Sequence, residues 1–261
     1  MKKTLILIFS IILLISCKDE TKKETKELTF QTKNLEKTFE DCDPEKGSCT
    51  SIELSYPIID ANKKIAQPIN DSIEQHIIKI ITTTEESPKN IDSLLNLFIE
   101  SYKEYRKDFA DLDIPWEASV NSDVTTLQSN ILSIQFESYV FSGGAHGYGS
   151  TTFLNFNPKT GAVYKNSAIF KPEFKDFVEK DFRKKENIPA EDNINSTGMF
   201  FENDEFQLPI NIGFENDNVI LVYNQYEIAA YAAGQFTYTY PISEIQEYLK
   251  IKLQKPQLDK N

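Results

Sequence analysis

Tyr139-Val140-Phe141-Ser142-Gly143-Gly144-Ala145-His146-Gly147-Tyr148-Gly149 holds four of the nine glycines of this 261-residue chain. Sequence that alternates in the manner of strands lies on both sides. Upstream, Ile131 to Val140 places Leu132, Ile134 and Phe136 on one face; downstream, Thr152, Leu154 and Phe156 alternate within Thr151 to Phe156. A glycine loop between two such runs reads as a strand-to-strand connection that needs positive φ angles or close backbone approach. With a preceding strand from Val120 to Thr126, the region predicts an antiparallel meander. Asn157-Pro158-Lys159-Thr160-Gly161 is a tight-turn sequence leading to a short strand, Ala162 to Tyr164.

Working outward, Ile52 to Ile59 reads as a half-buried strand ended by Pro57. Asn70-Asp71 opens a predicted helix to about Ile81, with Ile73, Ile77, Ile80 and Ile81 as its apolar stripe and His76 beside it as a structural histidine. Ser87-Pro88 reads as an N-cap with proline at the first helical position, and that helix runs to about Leu112. Downstream, Phe174, Phe177, Val178 and Phe182 mark a helix from Pro172 to about Lys185, and residues 187–204 read as an Asn-rich loop. Phe206 to Phe214 and Val219 to Tyr223 predict a hairpin, Phe236 to Tyr240 a last strand, and Ser243 with Gln246 a capping box for a closing helix. The expected class is α+β in two subdomains: a helix-plus-strand unit over 28–118, then an antiparallel sheet with helices over 119–252, followed by a polar tail, 253–261.

The N-terminus predicts the destination. Lys2 and Lys3 precede an apolar run to Leu14, too short to span a bilayer but suited to a signal peptide, 1–16. Leu14-Ile15-Ser16-Cys17 fits a lipobox, so Cys17 is the expected lipidation site and the membrane the expected first partner. Residues 17–27 are too polar to form a core and read as a tether. Lys18-Asp19-Glu20 resembles the signal that sends lipoproteins of Bacteroidota to the cell surface; a tether facing the periplasm is the alternative. In either oxidising location, Cys42 and Cys49, flanking a run of turn formers, read as one disulfide contributing about 2 kcal/mol.

A formal net charge of −12 argues against nucleic acid and for cationic partners. Eighteen Phe and twelve Tyr indicate a strand-rich protein with a substantial core. There is no H-E-x-x-H, no G-x-S-x-G and no phosphate-cradling glycine motif; two histidines, His76 and His146, do not suggest a metal centre, and no cofactor is expected. Ser142 and His146 share the loop, but no orienting acid is implied, so no catalytic residue is assigned.

The Tyr139-x-x-x-Gly-Gly-Ala-His-Gly block, with Ile131-Leu132-Ser133-Ile134, resembles the extracytoplasmic domain shared by lysozyme-sensing anti-sigma factors of the RsiV type and polysaccharide deacetylases of the PdaC type. Asn155-x-x-x-x-Thr160-Gly161, Gln225-Tyr226-Glu227-Ile228-Ala229-x-Tyr231-Ala232-x-Gly234 and Pro241-Ile242 fit the same pattern. Tyr56-Pro57 and the helix start at Asn70 resemble the smaller domain that precedes it, so the resemblance spans about residues 45 to 252. It implies a C-terminal part similar in fold to a heat-shock-cognate ATPase subdomain, without that subdomain's chemistry. It also implies Tyr139, Gly143, Gly144, His146 and Gly147 as a binding or fold-defining loop, with Tyr226 and Tyr231 as possible binding residues. Neither a sigma-binding segment nor a separate deacetylase domain is recognisable, so neither activity is carried over. The expectation is a non-enzymatic lipoprotein of the cell envelope binding a cationic protein such as lysozyme, or a cell-wall glycan. A carboxylate-based glycan hydrolase and a purely structural surface lipoprotein are the alternatives.

Overall fold

The computed structural model describes residues 27–40, 49–82, 87–109 and 114–253. Cys17 and Cys42 lie outside these residues, and with them the expected lipid anchor and the Cys42–Cys49 disulfide. Two strands, β1 (Thr29–Thr38) and β2 (Ser51–Asp60), are followed by two helices, α1 (Lys63–Ile81) and α2 (Ile91–Asp108). The meander β3 (Glu117–Gln128), β4 (Ile131–Phe141) and β5 (Tyr148–Phe156) comes next. The second half holds α3 (Asn166–Ile169), α4 (Glu173–Lys185), β6 (Asn211–Glu215), β7 (Asn218–Tyr223), β8 (Phe236–Pro241) and α5 (Ile242–Ile245). The α+β class is as expected. Five strands form one sheet in the order β1-β2-β3-β4-β5, and three form a second, β6-β7-β8.

Within the large sheet β2 and β3 are parallel, joined by the crossover through α1 and α2; every other neighbouring pair is antiparallel. One face is apolar because alternate residues point to it: Ile52, Leu54 and Tyr56 of β2, Val120 of β3, and Leu132, Ile134 and Phe136 of β4 are buried against α1 and α2. A second core of Phe174, Val178 and Phe182 from α4 with Phe214, Leu221 and Tyr238 underlies the small sheet. Tyr240 Oη donates to Asp181 of α4 at 2.8 Å and Tyr238 Oη to Glu186, the C-cap of that helix, at 2.6 Å, tying helix to sheet.

The halves meet through a seam of side chains. β6 is an edge strand, and its outward backbone groups are met by the large sheet. Phe214 N donates to Ser133 Oγ at 3.0 Å, Thr125 Oγ1 donates to Phe214 O at 2.6 Å, and Asn155 Nδ2 donates to Ile212 O at 2.7 Å. Gly213 lets the strand come this close, since a Cβ there would fall 1.9 Å from the Phe153 ring.

Several expectations need correction. The division expected between 118 and 119 falls inside β3, which hydrogen-bonds β2 and β4; the first core extends to Phe156 of β5, and the second is built from Ile169 onward with Ile131 of β4. α1 begins at Lys63, capped by Asn62 through Lys64 N, and carries Pro68 within it. Asn70 does not open the helix. Its side-chain amide pairs with the backbone of Ile59, accepting from N at 2.8 Å and donating to O at 2.9 Å. α2 is capped by a reciprocal Asn90–Ser93 box, not by Ser87. Pro57 does not end β2. β3 pairs only as far as Ser55, and Pro57 shares its strand edge with Ile59, whose N–H turns away from β1, so no ladder bond is lost. β1 itself is unexpected: Lys33, on its inner face, lies over the Tyr56 ring at 5.5 Å where an apolar residue would mark a strand. The predicted strand at 162–164 is an isolated bridge, Phe156↔Val163. Ser243 forms no cap, because α5 is one short turn that continues as a 3-10 turn at Gln246–Tyr248.

Candidate functional site

The glycine loop joins β4 to β5 and has two sides. Gly143 and Gly144 take φ of 93° and 95°, the left-handed region that makes the turn possible without strain. Gly143 faces Trp116, 3.5 Å from its Nε1 to a Cβ position, and a Cβ on Gly144 would meet nothing within 4 Å. These two glycines therefore belong to the turn and stand apart from the aromatic residues across the loop.

Gly147 serves a different purpose. The Tyr139 ring lies across it, so that a Cβ would sit 2.3 Å from Tyr139 Oη. Its carbonyl accepts from His146 Nδ1 at 3.0 Å and from Tyr231 Oη at 3.2 Å. Because a carbonyl can only accept, the imidazole proton is on Nδ1. The His146 ring stacks on Tyr231, with centroids 3.9 Å apart and planes at 22°, and Tyr226 stands 5.4 Å from Tyr231. Tyr139, His146, Gly147, Tyr226 and Tyr231 are thus brought together, across 84 residues of chain in the case of the Tyr231–Gly147 bond.

The 224–234 segment is held against β5 by Asn224, a residue the sequence did not single out. Its side-chain amide accepts from Thr151 N at 2.8 Å and donates to Thr151 O at 3.0 Å, imitating one more strand on the free edge of β5. Gln235 Nε2 donates to the same Asn224 oxygen at 2.9 Å, and Asn224 N donates to Glu227 Oε2 at 2.9 Å. Partial burial holds the Glu227 carboxyl above the usual carboxylate range, while the N–H groups of Asn224 and Ile210 pull it the other way. Burial also raises the Tyr148 hydroxyl, with the Glu227 charge adding to it.

Around this segment the surface is rich in exposed apolar side chains. Tyr139, Tyr148 and Tyr226 are exposed, Tyr226 with a φ of 66° that is costly for an aromatic residue. Phe200, whose N–H donates to Ile228 O at 2.9 Å, and Ile210, 84 % exposed and bonded through its N–H to Glu227, are two more exposed apolar residues attached to this segment. Among the described residues no group of three or more His, Cys, Asp or Glu side chains could hold a metal ion. No helix among them is long and apolar enough to cross a membrane. His76 lies elsewhere, under the large sheet, with Nε2 2.7 Å from Thr152 Oγ1 and its ring against Phe136.

Comparison with known proteins divides the chain much as its two cores do. Residues 44–148 match a family model described as deacetylase PdaC, and residues 163–243 match one described as a protein of unknown function, DUF3298. No curated protein matches the chain. A crystal structure of a DUF3298 family protein from Pseudomonas aeruginosa PAO1 superposes with a TM-score of 0.60 at 17 % identity, covering 89 % of this chain and 99 % of that one. A member of the same family from Bacteroides fragilis superposes with a TM-score of 0.61 at 19 % identity, covering 87 % and 95 %. In sequence the chain thus joins a PdaC-type region to a DUF3298-type region, and in fold it is similar to these DUF3298 family proteins over most of its length.

Proposed function

We propose that this chain is a non-enzymatic binding lipoprotein of the cell envelope that takes its ligand on the aromatic patch around the glycine loop. The observation that carries the reading is the stack of His146 on Tyr231, with Tyr226 beside it and Tyr139 and Tyr148 exposed at its margin. Solvent-facing aromatic rings with polar tips suit recognition of a protein surface or of sugar rings. The ligand is a cationic protein of the lysozyme kind or a cell-wall glycan, consistent with the charge of −12.

The decisive experiment measures binding of hen lysozyme and of chitotetraose to the wild type and to His146→Ala and Tyr226→Ala. A tenfold or greater loss for one ligand, with melting temperatures within a few degrees, supports the patch. No binding of either ligand by the wild type overturns the assignment, and turnover of peptidoglycan would favour a hydrolase instead. Anchoring is tested separately: palmitate labelling is expected in the full chain and not in Cys17→Ala.

A further inference from the structure

The face of the large sheet opposite α1 and α2 is only partly covered. β6 sits over Thr125, Ser133, Phe153 and Asn155, leaving the β1-β2-β3 end open. There Asn34, Glu36, Glu53, Ser55, Ser119 and Asn121 line a hollow of about 490 Å³.

Strand register places the acids of this face in successive cross-strand rows. Glu36 pairs with Glu53, which pairs with Ser119, and Ser119 with Tyr139 of the patch. Glu117 lies in the row before, Glu137 opposite Asn121 in the row after, and Asp123 in the row beyond. All five are exposed, and among the described residues none makes an ion pair. No lysine or arginine of β1 to β5 shares their face: Lys33 and Lys37 point the other way, to Tyr56 and to Asn96 of α2. Like charges directly opposite on neighbouring strands are destabilising, yet Glu36 and Glu53 are so placed. Rows on one face are roughly 7 Å apart, so the charges spread over about 20 Å, too far for one ion and well suited to a chain of cations.

We propose that this open face docks an extended, lysine- or arginine-rich segment of another polypeptide, its basic side chains reaching the carboxylates and the hollow. The proposal rests on the reading of the chain as a binding protein and gives it a second contact surface, continuous with the aromatic patch through Tyr139.

The test measures fluorescence anisotropy of a labelled deca-lysine peptide with the purified full chain at about 50 mM salt, a concentration at which exposed charges still interact over roughly 14 Å. Glu36→Gln/Glu53→Gln/Glu137→Gln is expected to weaken binding tenfold or more, whereas Glu173→Gln/Glu205→Gln/Glu244→Gln, the same change in net charge at exposed acids elsewhere, weakens it less than threefold. Tyr226→Ala is expected to leave deca-lysine binding within threefold, which keeps this surface distinguishable from the patch. Equal losses in the two triple variants, dependence on Tyr226 alone, or no binding by the wild type would each overturn the proposal. The melting temperature of the first triple variant should equal or exceed that of the wild type, since it removes a repulsion, so a loss of peptide cannot be ascribed to unfolding.

Discussion

Tyr139 lies flat across Gly147, its hydroxyl 2.3 Å from where a Cβ would stand. The obstructing atoms are the far end of an exposed side chain, which can swing away. Gly161 is blocked differently, by the Ile65 carbonyl at 2.4 Å and with a φ of 75°. Gly147→Ala is therefore expected to cost under about 1 kcal/mol while displacing Tyr139 from the patch, whereas Gly161→Ala costs roughly 2–4 kcal/mol through backbone strain and a clash with α1. Urea denaturation of the two variants checks the order; equal losses would contradict it.

His76 confers a pH dependence. Burial, with Lys79 adding a like charge, pushes its pKa down to about 4 from the ordinary 6.5. Below 6.5 the unfolded chain takes up a proton that the folded chain resists, so stability is full above that value and is lost as pH falls toward 4. The loss attributable to this group is about 3 kcal/mol. Comparing urea midpoints at pH 7.5 and 4.5 for the wild type and His76→Gln should show a shallower pH slope in the variant.

Asn224 closes the free edge of β5 with a side chain. Asn224→Leu removes both bonds to Thr151 and leaves a half-buried donor and acceptor unmet, so a loss of roughly 1–3 kcal/mol is expected. The variant should also weaken any ligand held by Tyr226 and Tyr231, since their segment loses its attachment. A melting scan beside a binding titration reads both.

Ser133 and Thr125 act on one residue, Phe214, from two neighbouring strands. Ser133→Ala and Thr125→Val should each cost roughly 1–3 kcal/mol, and the double variant less than their sum, because both serve one peptide neighbourhood. Additivity in a double-mutant cycle would show that the two bonds act independently.

The meander, α4 and the β6–β7 hairpin were legible because alternation and helical spacing lie within a few residues of each other. β1 was not, since one face is solvent and the other carries Lys33 and Lys37 beside a single leucine, Leu35. Asn70 and Asn224 look in the sequence like a helix start and an ordinary turn residue; both in fact complete strand edges whose partners are distant. Thr151 is 73 residues from Asn224. The loop was recognisable as a connection, but nothing local separates Gly143, which makes the turn, from Gly147, which accommodates a ring. That distinction depends on what packs against each, and Tyr231 comes from a separate part of the chain.

The side-chain seam along β6 bears on how this protein can be cut or recombined. Thr125, Ser133 and Asn155 supply the outer hydrogen bonds that β6 would otherwise seek from another strand. A fragment starting at Tyr164 would carry an unfinished sheet edge, ready to pair with its own copies, and the remaining fragment would present three polar side chains with their backbone partners removed. The junction after β5 therefore makes a poor site for a modular fusion. Expression of either half alone should give self-associating material, and co-expression should restore a one-to-one complex.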